Sequence, residues 1–147
     1  MAARQRHILL LAAVLSASVL HVAAAASNWT VYDILAQNRL PRGLLPQDVQ
    51  SYEVHVGGAL DVTLPGDACA VSVAADGKTY RFRYGRRVGG VLVNESITRA
   101  YGIAMELDST WLDVSEMRCL GDRVKVELPA SLLYLPAIAF AQSPRCN

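Results

Sequence analysis

Hydrophobic and polar residues alternate along most of the chain after residue 50, with the period of two that is typical of strands with one buried face. Turn sequences interrupt the alternation, among them Gly57-Gly58, Pro65-Gly66-Asp67 and Gly121-Asp122, and Gly85 is expected to break a strand. The pattern predicts strands at residues 52–56, 60–64, 69–73, 79–84, 91–93, 97–107, 111–118 and 123–128. Seven to nine such strands predict a mainly β fold, a small antiparallel β-barrel or a closed meander.

One short helix is predicted before the strands, over residues 30–38. Thr30 is a suitable N-cap with Asp33 three residues later, and hydrophobic residues at 31, 34 and 35 share one face. The segment Leu40–Pro46 ends the helix, because its prolines and glycine do not continue helical geometry. The apolar tail at 133–140 is interrupted by Pro136 and is expected to be an irregular or edge segment.

The first residues have the layout of a secretory signal peptide. Arg4 and Arg6 precede an uncharged apolar run at 8–20, and Ala24-Ala25-Ala26 supplies the small residues of a cleavage site. We therefore predict a signal peptide at 1–26, a single domain at 27–147 and entry into the secretory pathway. The run is shorter than the ~20 residues of a spanning helix, so no membrane span is expected after processing. An uncleaved anchor is the alternative.

Charge argues against a nucleic-acid partner. Removing a leader that holds two of the 14 basic residues and none of the 13 acidic ones changes the formal net charge from +1 to −1. A near-neutral domain lacks the basic surface of a nucleic-acid binder. Two sequons remain after cleavage, at Asn28 and Asn94, and both are candidate N-glycosylation sites.

Three cysteines lie after the leader, at positions 69, 119 and 146. In an oxidising compartment an odd number suggests one disulfide and one free thiol. The sequence does not determine the pairing. We prefer a bond between Cys69 and Cys146, because a crosslink would hold the C-terminal tail in place. The alternative is that all three are small buried hydrophobic residues.

Catalytic chemistry has one weak candidate, His55, which is the single histidine outside the leader. A histidine-dependent esterase would have to use it, but no Gly-x-Ser-x-Gly elbow accompanies it. The alternation places His55 on the polar side of its strand, so a solvated histidine is the preferred interpretation. No motif predicts a metal site or a cofactor.

Four cations within seven residues form a candidate ligand site: Arg81, Arg83, Arg86 and Arg87. They alternate with or follow an aromatic stripe, and together they could contact a phosphate, sulfate or carboxylate headgroup. The alternative is the solvated face of an amphipathic strand whose arginines pair with nearby acids.

Several segments together resemble a plant family known as domain of unknown function 538. They are Tyr32–Leu35 with Leu40–Pro46, Val49–Val54, Gly89–Leu92, Trp111–Val114, Ser143–Cys146 and Cys69. The resemblance implies a compact β-barrel-like fold with an N-terminal helix. The predicted signal peptide, in turn, predicts a location in the extracellular space, the apoplast or the vacuole. Proposals for such proteins include lipid or lipopolysaccharide binding and a hydrolase role in chlorophyll breakdown. Cys119 and the apolar segment 132–135 depart from the family pattern.

These observations favour a secreted, non-enzymatic binder of a small apolar or amphiphilic, lipid-like ligand. The alternatives are a stress-related hydrolase that uses His55 and a structural or protein-interaction module. An enclosed apolar cavity of a few hundred Å³ would favour the binder, whereas a filled interior would favour the interaction module.

Overall fold

The computed structural model describes residues 28–147, so the predicted signal peptide lies outside the described residues. The elements in chain order are helix α1 (Val31–Gln37), a first 3-10 helix (Arg42–Leu44), β1 (Ser51–Val54), β2 (Ala59–Ala75), β3 (Lys78–Val93), β4 (Ser96–Leu107), β5 (Thr110–Asp113), β6 (Glu116–Leu120), β7 (Arg123–Leu128), β8 (Ser131–Pro136) and a second 3-10 helix (Ala137–Phe140). The mainly β class and the short N-terminal helix predicted from the sequence are confirmed.

The strands form one antiparallel sheet in the order β1-β2-β3-β4-β6-β7-β8, and β5 pairs with β4 beside this path. This is the predicted meander. Within residues 28–147 no ladder joins β1 to β8, so the sheet is not closed by hydrogen bonds as a complete barrel would be.

Alternation sends one face of the strands into a shared interior. On β2, Val62 and Leu64 are almost fully buried, whereas the preceding residue of each, Asp61 and Thr63, is partly exposed. The N-terminal elements contribute to the same hydrophobic cluster through residues such as Leu35 and the buried Leu44-Leu45 pair, which follows from the helical spacing and the apolar turn.

The turn expected at Pro65-Gly66-Asp67 is wrong, and so is the strand break at Gly85. The chain does not reverse at either point, because the flanking segments pair with the same neighbouring strand. The register passes from Thr63 opposite Arg87 to Ala68 opposite Gly85, so residues 64–67 form a bulge in one long strand. Turn-forming residues here bend β2 and β3 rather than end them.

The single strand expected at 111–118 is two strands. The N–H of Val114 donates to Ile103 on β4 at 2.9 Å, and the N–H of Ser115 donates to Glu127 on β7 at 2.9 Å. The chain therefore changes partner between these two residues. The buried residues on either side of the change, Val114 and Met117, are three residues apart, so the alternation shifts by one residue at this point.

The C-terminal segment, residues 137–147, leaves edge strand β8 and runs back to β2. Phe140 meets Phe82 edge to face with ring centroids 6.1 Å apart. The N–H of Asn147 donates to the Ala70 carbonyl at 2.8 Å, and Cys146 is joined to Cys69 by a disulfide. This is the pairing that the sequence analysis preferred.

The turn after α1 is the platform on which the C-terminal segment lies. The Ser143 hydroxyl donates to the Arg42 carbonyl at 2.8 Å, and the Gln47 N–H donates to the Pro144 carbonyl at 2.9 Å. Gly43 is required by close approach, since a Cβ there would lie 2.2 Å from the Phe140 carbonyl oxygen. The Leu40–Pro46 segment thus binds the end of the chain.

Candidate functional site

A groove of about 340 Å³ lies on the surface where two hairpin turns approach edge strand β8. It is lined by Lys78, Thr79, Tyr80, Arg81, Glu106, Leu107, Asp108, Ser109 and Leu133. None of these residues is fully buried, so the groove is open to solvent, and its apolar residues lie at the outer boundary of the hydrophobic cluster inside the sheet. This open groove is therefore not the enclosed cavity that a barrel-type binder would have.

The groove combines apolar and charged side chains. Tyr80, Leu107 and Leu133 are partly buried against the core and supply the apolar part. Two cations, Lys78 and Arg81, and two acids, Glu106 and Asp108, lie on the same lining. Such a mixture is suited to an amphiphilic ligand, whose apolar and polar ends need different surroundings.

Arg81 and Arg83 share one tryptophan on the outer face of the sheet. Their guanidinium carbons lie 5.5 Å and 4.5 Å from the centroid of the Trp111 ring, which is cation–π range. Arg81 also donates to the Glu106 carboxylate at 3.0 Å. Glu106 and Trp111 therefore orient Arg81, which lines the groove, whereas Arg83 contacts the same tryptophan and is not among the lining residues.

Arg86 and Arg87 do not join that pair. Arg86 lies in the bulged region, 3.8 Å from Asp67. Arg87 donates to Asp61, whose other carboxylate oxygen accepts the Tyr101 hydroxyl at 2.7 Å. The structure thus places the four arginines of the candidate site in separate groups. Acidic side chains lie within ion-pair distance of three of them, Arg81, Arg86 and Arg87.

The Asp61–Arg87–Tyr101 group depends on a glycine. Tyr101 lies across Gly89, where a Cβ would be 2.7 Å from the phenol oxygen. Burial and the bond to Asp61 raise the pKa of Tyr101 to about 12, and the Tyr101 and Arg87 hydrogen bonds lower the pKa of Asp61. These shifts favour a neutral Tyr101 phenol, which can donate a hydrogen bond, and an ionised Asp61 carboxylate, which can accept it.

His55 lies at the end of the first hairpin, beyond β1, and more than half of its side chain is exposed. Its Nε2 is 3.4 Å from a Glu53 carboxylate oxygen. Among the residues that the structure describes, no serine or cysteine side chain is hydrogen-bonded to His55. The acid–base pair lacks the nucleophile that an esterase triad requires.

The remaining candidates are surface or isolated groups. Asn28 and Asn94 are exposed, and Asn94 lies in the turn between β3 and β4. Cys119 is the free cysteine, and burial raises the pKa of its thiol. Residues 28–147 contain no acid, histidine and cysteine cluster that could hold a metal ion. The same part of the chain has no helix with the length and hydropathy to span a membrane.

Sequence reasoning missed most of the groove. Lys78, Leu107 and Leu133 come from three segments that are far apart in the chain, and only the sheet brings them together. Tyr80 and Arg81 were noticed within the aromatic and basic stripe. A local sequence motif does not predict a site that is assembled from two turns and an edge strand.

Comparison with known proteins gives a family and no activity. No curated protein and no solved structure matches the chain. A family model described as "Protein of unknown function, DUF538" matches residues 31–141, which is most of the chain and nearly all of the unit that begins at Val31. The chain therefore belongs to the DUF538 family.

Proposed function

We propose that this protein binds a small anionic amphiphile without catalysing a reaction, and that the groove beside β8 is the binding site. The proposal rests on one observation: apolar and cationic side chains line the same open groove of about 340 Å³. The apolar residues are Tyr80, Leu107 and Leu133, and the cations are Lys78 and Arg81. That volume is at the lower end of the range for small-molecule sites. It suits a headgroup and the first part of a chain better than a whole lipid.

The charges on the groove define the headgroup further. Lys78 and Arg81 can contact a phosphate or sulfate, and Asp108 on the opposite turn can accept hydroxyl donors. Arg81 is already oriented by Glu106 and Trp111, so little side-chain entropy is lost when it binds an anion. A phosphate that carries a hydroxylated group matches both features.

The test uses dihexanoyl phosphatidylglycerol and tryptophan fluorescence. In a Trp29→Phe background, Trp111 is the remaining tryptophan and lies against Arg81. We expect Lys78→Gln with Arg81→Gln to weaken binding about tenfold or more, since a charge-assisted hydrogen bond contributes about 1.5–3 kcal/mol. Arg86→Gln removes one cation outside the groove and is expected to change the affinity less than twofold.

Two outcomes would refute the groove as the site. One is equal affinity of the parent and the Lys78→Gln, Arg81→Gln protein. The other is equal affinity for dihexanoyl phosphatidylcholine, because a zwitterionic headgroup offers less to the cations. A Leu133→Asn variant tests the apolar part separately and should weaken binding of the lipid but not of glycerol phosphate.

We also propose that the chain is exported and glycosylated. The leader layout, the exposed sequon at Asn94 and the Cys69–Cys146 disulfide support this, since disulfides persist in oxidising compartments. Intact-mass spectrometry of protein secreted from a eukaryotic host should give a chain that begins at Ser27 and carries a glycan removed by Asn94→Gln. A secreted product that retains residues 1–26 would contradict it.

A further inference from the structure

In the part of the chain that the structure describes, strand β8 is an edge of the sheet and pairs with a strand on one side only. Among the described strands it pairs only with β7, and the ladder runs from Leu128 opposite Ser131 to Arg123 opposite Pro136. Within residues 28–147, no backbone bond outside that ladder engages 131–136. An open strand edge presents backbone donors and acceptors that can pair with another chain.

The hairpin identifies the residues whose backbone groups face outward. Only two residues separate Leu128 from Ser131, so this pair must exchange two hydrogen bonds across the turn. Hydrogen-bonded pairs alternate along the ladder, so Leu133 and Leu135 are also hydrogen-bonded to β7. Leu132 and Tyr134 are the intervening residues, and their N–H and C=O groups point away from the sheet.

The side chains at this edge are apolar and exposed. Leu132 is 53% exposed and Tyr134 is 51% exposed. Soluble proteins usually protect such edges with lysine, an internal proline or a bulge. Residues 131–135 contain none of these, and Pro136 comes only at the end of the strand. The β8 edge therefore lacks the usual features that prevent pairing with another strand.

We propose that β8 pairs with β8 of a second copy of this chain, antiparallel and across a two-fold axis at Leu133. In that register Leu132 of each copy lies opposite Tyr134 of the other. Both are the outward-facing residues, so all of their backbone groups are used, which gives about four hydrogen bonds. Registers displaced by two residues leave one of the two outward-facing residues of each strand without its match.

Charge on the neighbouring strand fits the same register. On β7, Lys125 lies opposite Tyr134 and Glu127 lies opposite Leu132. Each row across the dimer would then read lysine, tyrosine, leucine and glutamate from one copy to the next. The apolar pair lies at the centre of the row, and the register places opposite rather than like charges at its two ends, three strand spacings or about 14 Å apart. An isologous interface of this kind is self-complementary.

The first test measures association by sedimentation equilibrium. The contact is small, so we expect the dimer fraction to rise between about 10 µM and 1 mM. The double variant Leu132→Lys with Tyr134→Lys should remain monomeric over that range, because lysines oppose edge pairing. The matched control, Val93→Lys with Leu120→Lys, changes two other exposed apolar residues and should dimerise like the parent.

A parent chain that is monomeric at 1 mM would overturn the proposal, and so would a dimer that the edge variant retains or that the control variant loses. The register has its own test. In a Cys119→Ser background, Leu133→Cys should form an intermolecular disulfide on mild oxidation, because non-hydrogen-bonded cross-strand pairs bring Cβ atoms within about 4.5–5.5 Å. Val93→Cys should not, and equal crosslinking of the two would overturn the two-fold axis at Leu133.

This inference rests on different residues from the proposed ligand site, except for Leu133, which lines the groove and lies on the proposed two-fold axis. Lys78 and Arg81 line the groove and are not part of the β8 edge, so Lys78→Gln with Arg81→Gln should leave the dimer intact. Conversely, Leu132→Lys with Tyr134→Lys leaves every groove residue unchanged. Loss of one property without the other shows which of the two proposals has failed.

Discussion

The Cys69–Cys146 disulfide is the strongest single constraint on the C-terminal segment. It joins residues 77 apart in sequence. In the chain-entropy account, closing a loop of that length in the unfolded state stabilises the fold by about 4.5 kcal/mol at 25 °C, near the upper end of measured values. Cys146 is exposed, so replacing it by serine removes the crosslink with little loss of packing.

The assay is urea unfolding of Cys146→Ser in a Cys119→Ser background, compared with Cys119→Ser alone. With a slope of about 2 kcal/mol per molar urea, the predicted loss lowers the midpoint by about 2 M. The Asn147 and Ser143 hydrogen bonds stay available to the uncrosslinked segment. A midpoint change below about 0.5 M would refute the reasoning, because it would mean that the crosslink restricts the unfolded chain far less than the loop-closure account requires.

Two further predictions concern single positions. In urea unfolding, Gly43→Ala should lower the free energy of unfolding by about 2 kcal/mol or more, because the added Cβ would lie 2.2 Å from a backbone carbonyl oxygen. Gly66→Ala is the control and should be near neutral, because its Cβ would lie 3.8 Å from the nearest atom. Asp61→Asn should be less stable than the parent above about pH 5, with the difference shrinking below about pH 4. The sign follows because folding lowers the pKa of Asp61, so its contribution is present above the unfolded pKa and is lost as pH falls through the folded one. A pH-independent difference in thermal unfolding would contradict the assignment to that carboxylate.

Period-two alternation was sufficient to predict the fold class and most strands. It depends on burial of one face, and Val62 and Leu64 show that this face is the interior. It could not distinguish a turn from a bulge. Pro65-Gly66-Asp67 suits both, and the choice is made by β3, which pairs with the chain on both sides of the bulge. That information is non-local.

The candidate site shows the same limit. The arginine cluster was found because its members are close in sequence, yet neighbours in sequence on a bent strand need not act together. Arg81 and Arg83 share Trp111, whereas Arg87 bonds to Asp61. The groove depends on the approach of β8 to two distant turns, and a period of two contains nothing about which strands lie at that surface.

The preferred cysteine pairing had a physical basis that the structure makes visible. A tail that crosslinks to β2 must cross the turn after α1, and Gly43 leaves room for it to do so. The Leu-Pro-x-Gly-Leu-Leu-Pro pattern was noticed as a helix-ending segment. Its second role, holding the C-terminal segment, rests on contacts about 100 residues apart, such as Ser143 to Arg42, which local pattern cannot supply.

The measurement that tests the account most directly is an amide ¹H–¹⁵N titration of the uniformly labelled chain with dihexanoyl phosphatidylglycerol. The central claim is that ligand binds at the surface groove and not within the sheet. We predict saturable shifts at groove positions such as Thr79, Leu107 and Ser109, with interior positions such as Val62 and Met105 unchanged. Shifts centred on the interior residues, or no saturable shifts at all, would contradict it.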